Sequence, residues 1–316
     1  MIASRLRLLA GLAAAAAGLA GVAASAEPAA KSREHTGWKD VVFAEVDGRP
    51  LMLDLHLPRS EGPRSEGPQR EGPFPTVVWV HGGAWRAGSR SDVPATGLLD
   101  HGYAVASVDY RLSGDARFPA QIHDIKAAIR YLRTQADRHR LDPNRFAVAG
   151  SSAGGHLAAL VGVSDGVEGL EGSVGGSIDT SSGCRAIVSF YGGSNLQTIL
   201  SQSTPHGLSV RVPALQLLLG GQPEQEKQLA RLASPVAHVD AGDPPLMLIH
   251  GDADPQMPIE QSYELRDAYR AVGGTVEFVS IEGGLHGGAE FFDDRQIERV
   301  AKFLNRSMPA PEVAGQ

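Results

Sequence analysis

The stretch Gly150-Ser151-Ser152-Ala153-Gly154 combines residue types and spacing that suit covalent catalysis. An apolar run at 145–149 precedes the stretch, and a helix-like apolar pattern at 153–163 begins at its last two residues. A G-x-S-x-G sequence between a strand and a helix is typical of a nucleophile elbow, a sharp turn that exposes the central serine. Ser152 is therefore the predicted nucleophile. The stretch lacks the lysine of a phosphate-binding loop, and its glycine spacing does not fit a dinucleotide fingerprint.

A serine hydroxyl needs an adjacent base to react at neutral pH, and in this arrangement an acid and then a histidine follow it along the chain. The predicted strand 245–250 leads into a loop with two acids, Asp252 and Asp254. Of the 11 histidines only His286 follows that loop, and it lies among glycines. His286 is the predicted general base, and both aspartates are candidates for the group that orients it. His250, at the strand end, is expected to be structural.

The oxyanion that forms during acyl transfer needs backbone N–H donors. Ala153, which follows the predicted nucleophile, is expected to provide one of them. The sequence His-Gly-Gly-Ala-Trp at 81–85 follows a strand-like apolar run and differs from an HGGG-type oxyanion motif at its fourth position. Glycines let the backbone approach a substrate closely, so Gly83 is the expected second donor, with Gly82 and Ala84 as alternatives.

The end of this motif also supplies candidate substrate-binding residues, Ala84 and Trp85. Trp85 either walls the acyl or alcohol pocket or belongs to the core, and the sequence favours neither interpretation. His81, at the start of the motif, is expected to brace the loop rather than to react.

Apolar runs and helical patterns alternate along most of the chain, which predicts an α/β fold. The predicted strands span 76–80, 103–108, 145–149, 185–190, 245–250 and 275–281. The predicted helices span 121–141, 153–163, 258–272 and 294–306. Such an alternation implies a mostly parallel, twisted sheet with helices on both faces. Two alternating segments around Asp47-Gly48 predict a hairpin that adds an antiparallel N-terminal edge.

Three segments interrupt this alternation. Residues 59–73 repeat a five-residue unit that ends in Gly-Pro each time, so a surface loop is expected. Residues 164–183 are rich in glycine and serine and indicate a mobile loop. Residues 194–234 form either a small cap over a pocket or a plain connection, and the sequence leaves both open.

Composition narrows the range of partners. The 316 residues carry a net charge of −7 and show no basic stripe, so nucleic acid is not an expected partner. Cys184 is the single cysteine, so neither an intramolecular disulfide nor a cysteine-based metal cluster is expected. No metal site is predicted.

The first 26 residues have the pattern of a secretory signal peptide. Arg5 and Arg7 precede an apolar stretch at 8–24, and Ala24-Ser25-Ala26 forms an A-x-A cleavage site. The expected organisation is a signal peptide at 1–26, a flexible leader at 27–37, a catalytic domain at 38–308 and a tail at 309–316. It predicts a secreted or periplasmic protein with no stable membrane association after cleavage.

The sequence resembles the α/β-hydrolase esterases of the hormone-sensitive-lipase-like and bacterial feruloyl-esterase-like (BD-FAE) group over residues 38–308. The motifs that carry the resemblance are HGGAW at 81–85, VDYRL at 108–112, FPAQIHDIKAAIRYLR at 118–133, DPNRFAVAGSSAGGHLAAL at 142–160, LASPVAHV at 232–239, PPLMLIHGDADPQMPIEQS at 244–262 and EGGLHGG at 282–288. The resemblance implies an α/β-hydrolase fold, a triad of Ser152, Asp254 and His286, and hydrolysis of carboxylic esters without a cofactor. Ala84 in place of the usual glycine and the repeat loop at 59–73 depart from the family pattern.

These observations predict a secreted serine carboxylic-ester hydrolase that acts on short-chain or aromatic acyl esters through an acyl-enzyme. Acetyl or feruloyl esters of plant polysaccharide are suggested by family analogy alone.

An aryl formamidase or a serine peptidase would use the same triad, and leaving-group preference would separate them. A long-chain lipase would need a large apolar lid, whereas the 194–234 segment is short and mixed. A catalytically inert binding protein of this fold would leave any activated ester intact. The sequence does not indicate an oligomeric state.

Overall fold

The structure, a computed structural model, describes residues 36–58 and 72–310. The predicted signal peptide at 1–26, leader residues 27–35, loop residues 59–71 and the tail beyond residue 310 lie outside the described residues. The first strand begins at Thr36, so residues 36 and 37, which the sequence assigned to a flexible leader, belong to the sheet. Within the described residues, no helix is both long and apolar enough to span a bilayer.

A single eight-stranded sheet organises the described chain. The strands are β1 (Thr36–Val46), β2 (Arg49–Leu57), β3 (Phe74–Val80), β4 (Ala104–Val108), β5 (Leu141–Ser151), β6 (Ala186–Phe190), β7 (Leu246–Gly251) and β8 (Val276–Ile281). Their order in the sheet is β1-β2-β4-β3-β5-β6-β7-β8. Strand β2 pairs antiparallel with both β1 and β4, and every later pair is parallel. The predicted α/β class, with a mostly parallel sheet and an antiparallel N-terminal edge, is confirmed.

The helices follow the predicted alternation with most boundaries within two residues, and three more helices form within the 194–234 segment. They are α1 (Ala120–Thr134), α2 (Ala136–His139), α3 (Ala153–Gly162), α4 (Ile199–Gln202), α5 (Pro205–Leu219), α6 (Lys227–Leu232), α7 (Glu260–Ala271) and α8 (Asp294–Ser307). Short 3-10 helices span Pro94–His101, Pro235–Ala237 and Ala289–Phe291. The helix predicted at 121–141 is two helices, separated at Gln135, and the second ends where Arg140 adopts a left-handed conformation with φ of 57°.

The core lies on both faces of the sheet. Successive side chains of a strand point to opposite faces, and those of β3 divide accordingly. Val78 and Val80 pack with the apolar faces of α1 and α3, while Val77 and Trp79 pack with α8 on the other side. All seven residues of β3 are buried. This two-sided burial explains why the central strands read as continuous apolar runs in the sequence.

The segment 164–183 contains no helix or strand, but basic side chains of α1 anchor it. The Lys126 ammonium donates to the carbonyl oxygen of Ser164 at 2.6 Å and to the Glu171 carboxylate at 2.5 Å. The Arg133 guanidinium donates to the carbonyl oxygen of Gly183 at 2.7 Å. Because the Lys126 side chain is fully buried, it ties the segment to α1 from the interior, and the mobility expected from the sequence stays a prediction.

The segment 194–234 folds into α4, α5 and α6 and packs on the loop that follows β7. The Thr204 hydroxyl donates to the carbonyl oxygen of Pro255, and the Arg211 guanidinium lies 3.2 Å from the Met257 sulfur. These contacts show that the segment supports the loop after β7, at the carboxyl end of the sheet, where ligands bind in open α/β folds.

Candidate active site

The turn between β5 and α3 holds Ser152 in a strained conformation. Its φ of 55° and ψ of −119° lie in a region that non-glycine residues rarely occupy, and such outliers concentrate at functional sites. The glycines on either side are required by space. A Cβ on Gly150 would lie 2.4 Å from the carbonyl oxygen of Gly154, and one on Gly154 would lie 2.0 Å from that of Val80.

Three loops bring Ser152, His286 and Asp254 together at the carboxyl edge of the sheet. The Oγ of Ser152 lies 2.8 Å from Nε2 of His286, and Nδ1 of His286 lies 2.7 Å from Oδ2 of Asp254. Asp252, the competing acid, is exposed and accepts the backbone N–H of Gly283 at 2.7 Å instead. The geometry therefore selects Asp254, and the three groups stand as nucleophile, base and orienting acid would.

The Asp254 carboxylate is held ionised although its side chain is fully buried. Burial alone would raise its pKa, but donors from the protein outweigh burial and leave the pKa well below its usual range. They include the imidazoles of His250 and His286 and the backbone N–H groups of Gln256 and Met257, at 2.7 and 2.8 Å from Oδ1. An ionised acid in contact with Nδ1 of His286 leaves Nε2 free to accept the proton of Ser152.

His250 lies at the end of β7, as the sequence predicted, but it also contacts the acid. Its Nε2 is 3.4 Å from Oδ2 of Asp254 and 3.0 Å from the carbonyl oxygen of Met257. Its Nδ1 is 2.7 Å from the hydroxyl of Ser262. No local sequence pattern reveals this contact, because His250 lies in β7 and Asp254 lies in the loop that follows it.

The predicted oxyanion donors border the nucleophile. Ala153 is the first residue of α3, so its N–H has no acceptor within that helix. A Cβ on Gly82 would lie 3.4 Å from the Cβ of Ser152, which shows how closely this backbone approaches the elbow. Gly83 has φ of 106°, a value suited to glycine. These backbone groups lie close to Ser152, and their role as oxyanion donors stays a prediction.

The turn after Gly83 is strained and is anchored by Trp85. Ala84 and Trp85 both adopt left-handed conformations, with φ of 52° and 59°. The Trp85 side chain is buried in the core, where its Nε1–H donates to Nδ1 of His156 at 3.1 Å. Burial lowers the pKa of His156 to about 4, which keeps its ring neutral and able to accept. The structure therefore corrects the proposed substrate-binding role of Trp85, whose ring belongs to the core.

His81 braces the same turn from its other end. Its ring is buried and stacks on Tyr110 with a centroid separation of 4.3 Å. Its Nδ1 lies 2.8 Å from the carbonyl oxygen of Gly82, and burial lowers its pKa. These contacts match the bracing role expected from the sequence.

A cavity of about 410 Å³ opens above Ser152 and His286. It is lined by Gly82, Gly83, Ala84, Arg86, Ala87, Ser151, Ser152, Tyr191, Gln256 and His286. Ala84 thus borders the site as predicted, whereas no residue of the 194–234 segment is among the lining residues, all of which lie in the described chain. No cluster of metal-ligating side chains occurs among the described residues.

Tyr191 is a lining residue that sequence reasoning missed. It follows β6 directly and has a φ of 39°, an uncommon value for a bulky side chain. Its ring meets the His286 imidazole edge-on at a centroid separation of 4.9 Å. Burial raises its pKa to about 12, so the phenol keeps its proton at neutral pH. Its position at the carboxyl end of a predicted strand was the only available signal.

Comparison with known proteins places these features in a family. Residues 65–269 match the family described as BD-FAE. Esterase LipC of Mycobacterium tuberculosis is 32% identical over 240 residues, which cover 73% of this chain and 58% of that protein. The chain spans about half the length of the curated relatives it matches.

Two solved structures have closely similar folds. A carbohydrate esterase from gut microbiota, solved in a truncated form, shares 31% identity with a TM-score of 0.77, covering 88% of this chain and 98% of that one. A bifunctional GH43-CE protein of Bacteroides eggerthii shares 34% identity with a TM-score of 0.73, covering 86% of this chain and 38% of that one.

Proposed function

The chain belongs to the BD-FAE family and has the α/β-hydrolase fold, and from this premise we propose that it is a secreted serine carboxylic-ester hydrolase. One observation carries the proposal. A continuous line of contacts runs from Ser152 through His286 to the ionised Asp254, and it opens onto a cavity. This arrangement supplies an activated nucleophile, a proton carrier and an orienting charge in one place.

The proposed reaction has two halves joined by an acyl-enzyme. Ser152 Oγ attacks the ester carbonyl carbon while His286 Nε2 takes its proton. The oxyanion that forms accepts hydrogen bonds from the backbone N–H groups of Ala153 and Gly83. His286 then donates that proton to the leaving alcohol, which leaves the acyl group on Ser152. A water molecule, deprotonated by His286, attacks the acyl carbon and releases the acid, and Ser152 recovers its proton. Asp254 orients His286 and stabilises its charged form throughout.

The size and lining of the cavity support the proposal that the acyl group is short or flat. Its volume of about 410 Å³ lies near the lower end of the range for small-molecule sites, and several of its lining residues are glycine or alanine. Esters of a carbohydrate are the proposed natural substrates, with an acetyl or a feruloyl group as the acyl part. The resemblance to a carbohydrate esterase from gut microbiota supports this choice.

Hydrolysis of p-nitrophenyl acetate, butyrate and decanoate by the chain and by its Ser152→Ala variant tests the proposal. We expect turnover of the two short esters, slower turnover of the decanoate, and loss of all three activities in the variant. Equal, slow rates for both proteins would contradict the proposal and direct the search to aryl formamides and peptides. Release of acetate or ferulate from acetylated or feruloylated xylan would then identify the acyl group.

Export is proposed from the N-terminal sequence. The basic residues, the apolar stretch at 8–24 and the Ala24-Ser25-Ala26 site support cleavage after Ala26. N-terminal sequencing of the protein recovered from the periplasm or the medium should begin at Glu27. A protein that stays in the cytoplasm with Met1 in place would contradict the proposal.

A further inference from the structure

A second imidazole faces the acid of the proposed triad. The His250 side chain is fully buried, and its Nε2 lies 3.4 Å from Oδ2 of Asp254. The same oxygen lies 2.7 Å from Nδ1 of His286. Two histidines therefore approach one carboxylate oxygen from different elements, and the proposed mechanism uses only one of them.

The surroundings fix which nitrogen of His250 carries the proton. A carbonyl oxygen only accepts, so Nε2, at 3.0 Å from the carbonyl oxygen of Met257, must bear a hydrogen. In the neutral ring Nδ1 then accepts, and the hydroxyl of Ser262 donates to it at 2.7 Å. Ser262 lies in the first turn of α7 and is also buried. The Nε2–H is thus directed toward Met257 and the carboxylate.

The contact between His250 and Asp254 is longer than a full hydrogen bond, and its effect is electrostatic and steric. Both side chains are fully buried, and the interaction of a dipole with a charge is strengthened where water is excluded. We propose that His250, oriented by Ser262, is a positioning residue that holds the Asp254 carboxylate in register with His286. This inference rests on the proposed function of the triad.

The arrangement has consequences that can be measured. Loss of the Nε2–H leaves Oδ2 of the carboxylate with one donor fewer, although Oδ1 stays bound to the backbone N–H groups of Gln256 and Met257. The proton on His286 is then held more tightly, and the imidazole ring is less well oriented because Oδ2 is less well fixed. The first change moves the acid limb of the kcat/KM profile to higher pH, and the second lowers kcat. KM stays constant because neither His250 nor Ser262 lines the cavity.

Three variants and one control test the proposal with p-nitrophenyl acetate across pH. Ser262→Ala removes the orienting hydroxyl, and His250→Asn removes the donor at the Nε2 position. His250→Gln restores an amide N–H at about that reach. Ser280→Ala is the matched control, because Ser280 pairs with His250 on the neighbouring strand but is exposed.

We expect Ser262→Ala and His250→Asn to lower kcat several-fold and by about tenfold at most, because the contact with the carboxylate is longer than a full hydrogen bond, with KM unchanged. The acid limb should rise by about half a pH unit. His250→Gln should recover most of kcat, and the control should match the wild type. Unchanged kcat in Ser262→Ala, or equal losses in both His250 variants with an unmoved pH profile, would overturn the proposal. Should the His250 variants not fold, Ser262→Ala decides the matter alone.

The outcome remains separable from that of the proposed function. Wild-type turnover that Ser152→Ala abolishes establishes the function, and the variants then test the positioning role alone. A wild type that is inert toward every ester refutes the proposed function, and the NMR resonance of the His286 Nδ1–H then tests the positioning role without turnover. A shift of that resonance in Ser262→Ala supports the role, and an unmoved resonance overturns it.

Discussion

The two aspartates of the loop after β7 offer a sharp test of the site. Asp254→Asn keeps the shape of the side chain but removes its charge and one acceptor. If the amide oxygen continues to accept from the backbone N–H groups of Gln256 and Met257, the amide NH₂ faces Nδ1 of His286. It then donates to Nδ1, which forces the hydrogen onto Nε2, and Nε2 can no longer take the proton of Ser152.

The size of the loss follows from this wrong tautomer. The corresponding change in a serine protease triad lowers kcat by about 10⁴-fold, equivalent to about 5.5 kcal/mol of barrier. Asp252→Asn is the matched control, because that side chain is exposed and bonds only the backbone N–H of Gly283. The control should lose less than about twofold in kcat and about 1 kcal/mol or less in stability.

Initial rates on p-nitrophenyl acetate at neutral pH measure both variants, and thermal unfolding confirms that each one folds. Comparable losses in the two variants would refute the assignment of Asp254, as would an Asp254→Asn protein that keeps a tenth of the wild-type kcat. A large loss in Asp252→Asn alone would transfer the orienting role to that residue.

Three further predictions concern the elbow, the anchored turn and acid stability. Gly154→Ala should destabilise the fold by about 3 kcal/mol or prevent folding, because the new Cβ meets a β3 carbonyl oxygen at 2.0 Å. Gly114→Ala, at a site with open space, is its control, and equal unfolding temperatures would contradict the steric argument. Trp85→Phe should lower the free energy of unfolding by about 1–2 kcal/mol, because it leaves His156 without its buried donor, and KM should stay constant. A several-fold rise in KM would instead indicate that Trp85 contacts the substrate. Because the folded-state pKa of Asp254 is depressed, its stabilisation is complete above about pH 4, the unfolded value, and is lost as pH falls further. Urea unfolding should show the free energy of unfolding declining with pH in the wild type, with a smaller decline in Asp254→Asn. Parallel declines in the two proteins would contradict the stabilising role of the ionised Asp254.

The sequence predicted the sheet well where burial leaves a local signature. The apolar run at 76–80 indicated a strand buried on both faces because such strands carry no polar face. Ser152 and His286 could be proposed because motif and chain order constrain them together. The boundary at Thr36 was missed, since the polar start of β1 resembles a leader and only pairing with β2 reveals it.

The remaining site features depend on contacts between distant segments. Trp85 could equally have pointed outward, because the direction of its ring is set by His156, 71 residues away. The choice between Asp252 and Asp254 depends on how the loop after β7 turns toward His286. Tyr191 belongs to no recognised motif, and Ser262 ends one without any assigned role. Only the folded chain shows that Tyr191 contacts His286 and that Ser262 contacts His250.

The central claim is that one of two adjacent serines carries the acyl group. Rapid acid quench of the reaction with p-nitrophenyl acetate, followed by peptide mass spectrometry, locates that group directly. The proposed mechanism predicts a single acetyl group on Ser152 and none on Ser151, with no acylated peptide from Ser152→Ala. An acetyl group on Ser151, or hydrolysis without any acylated serine, would contradict it.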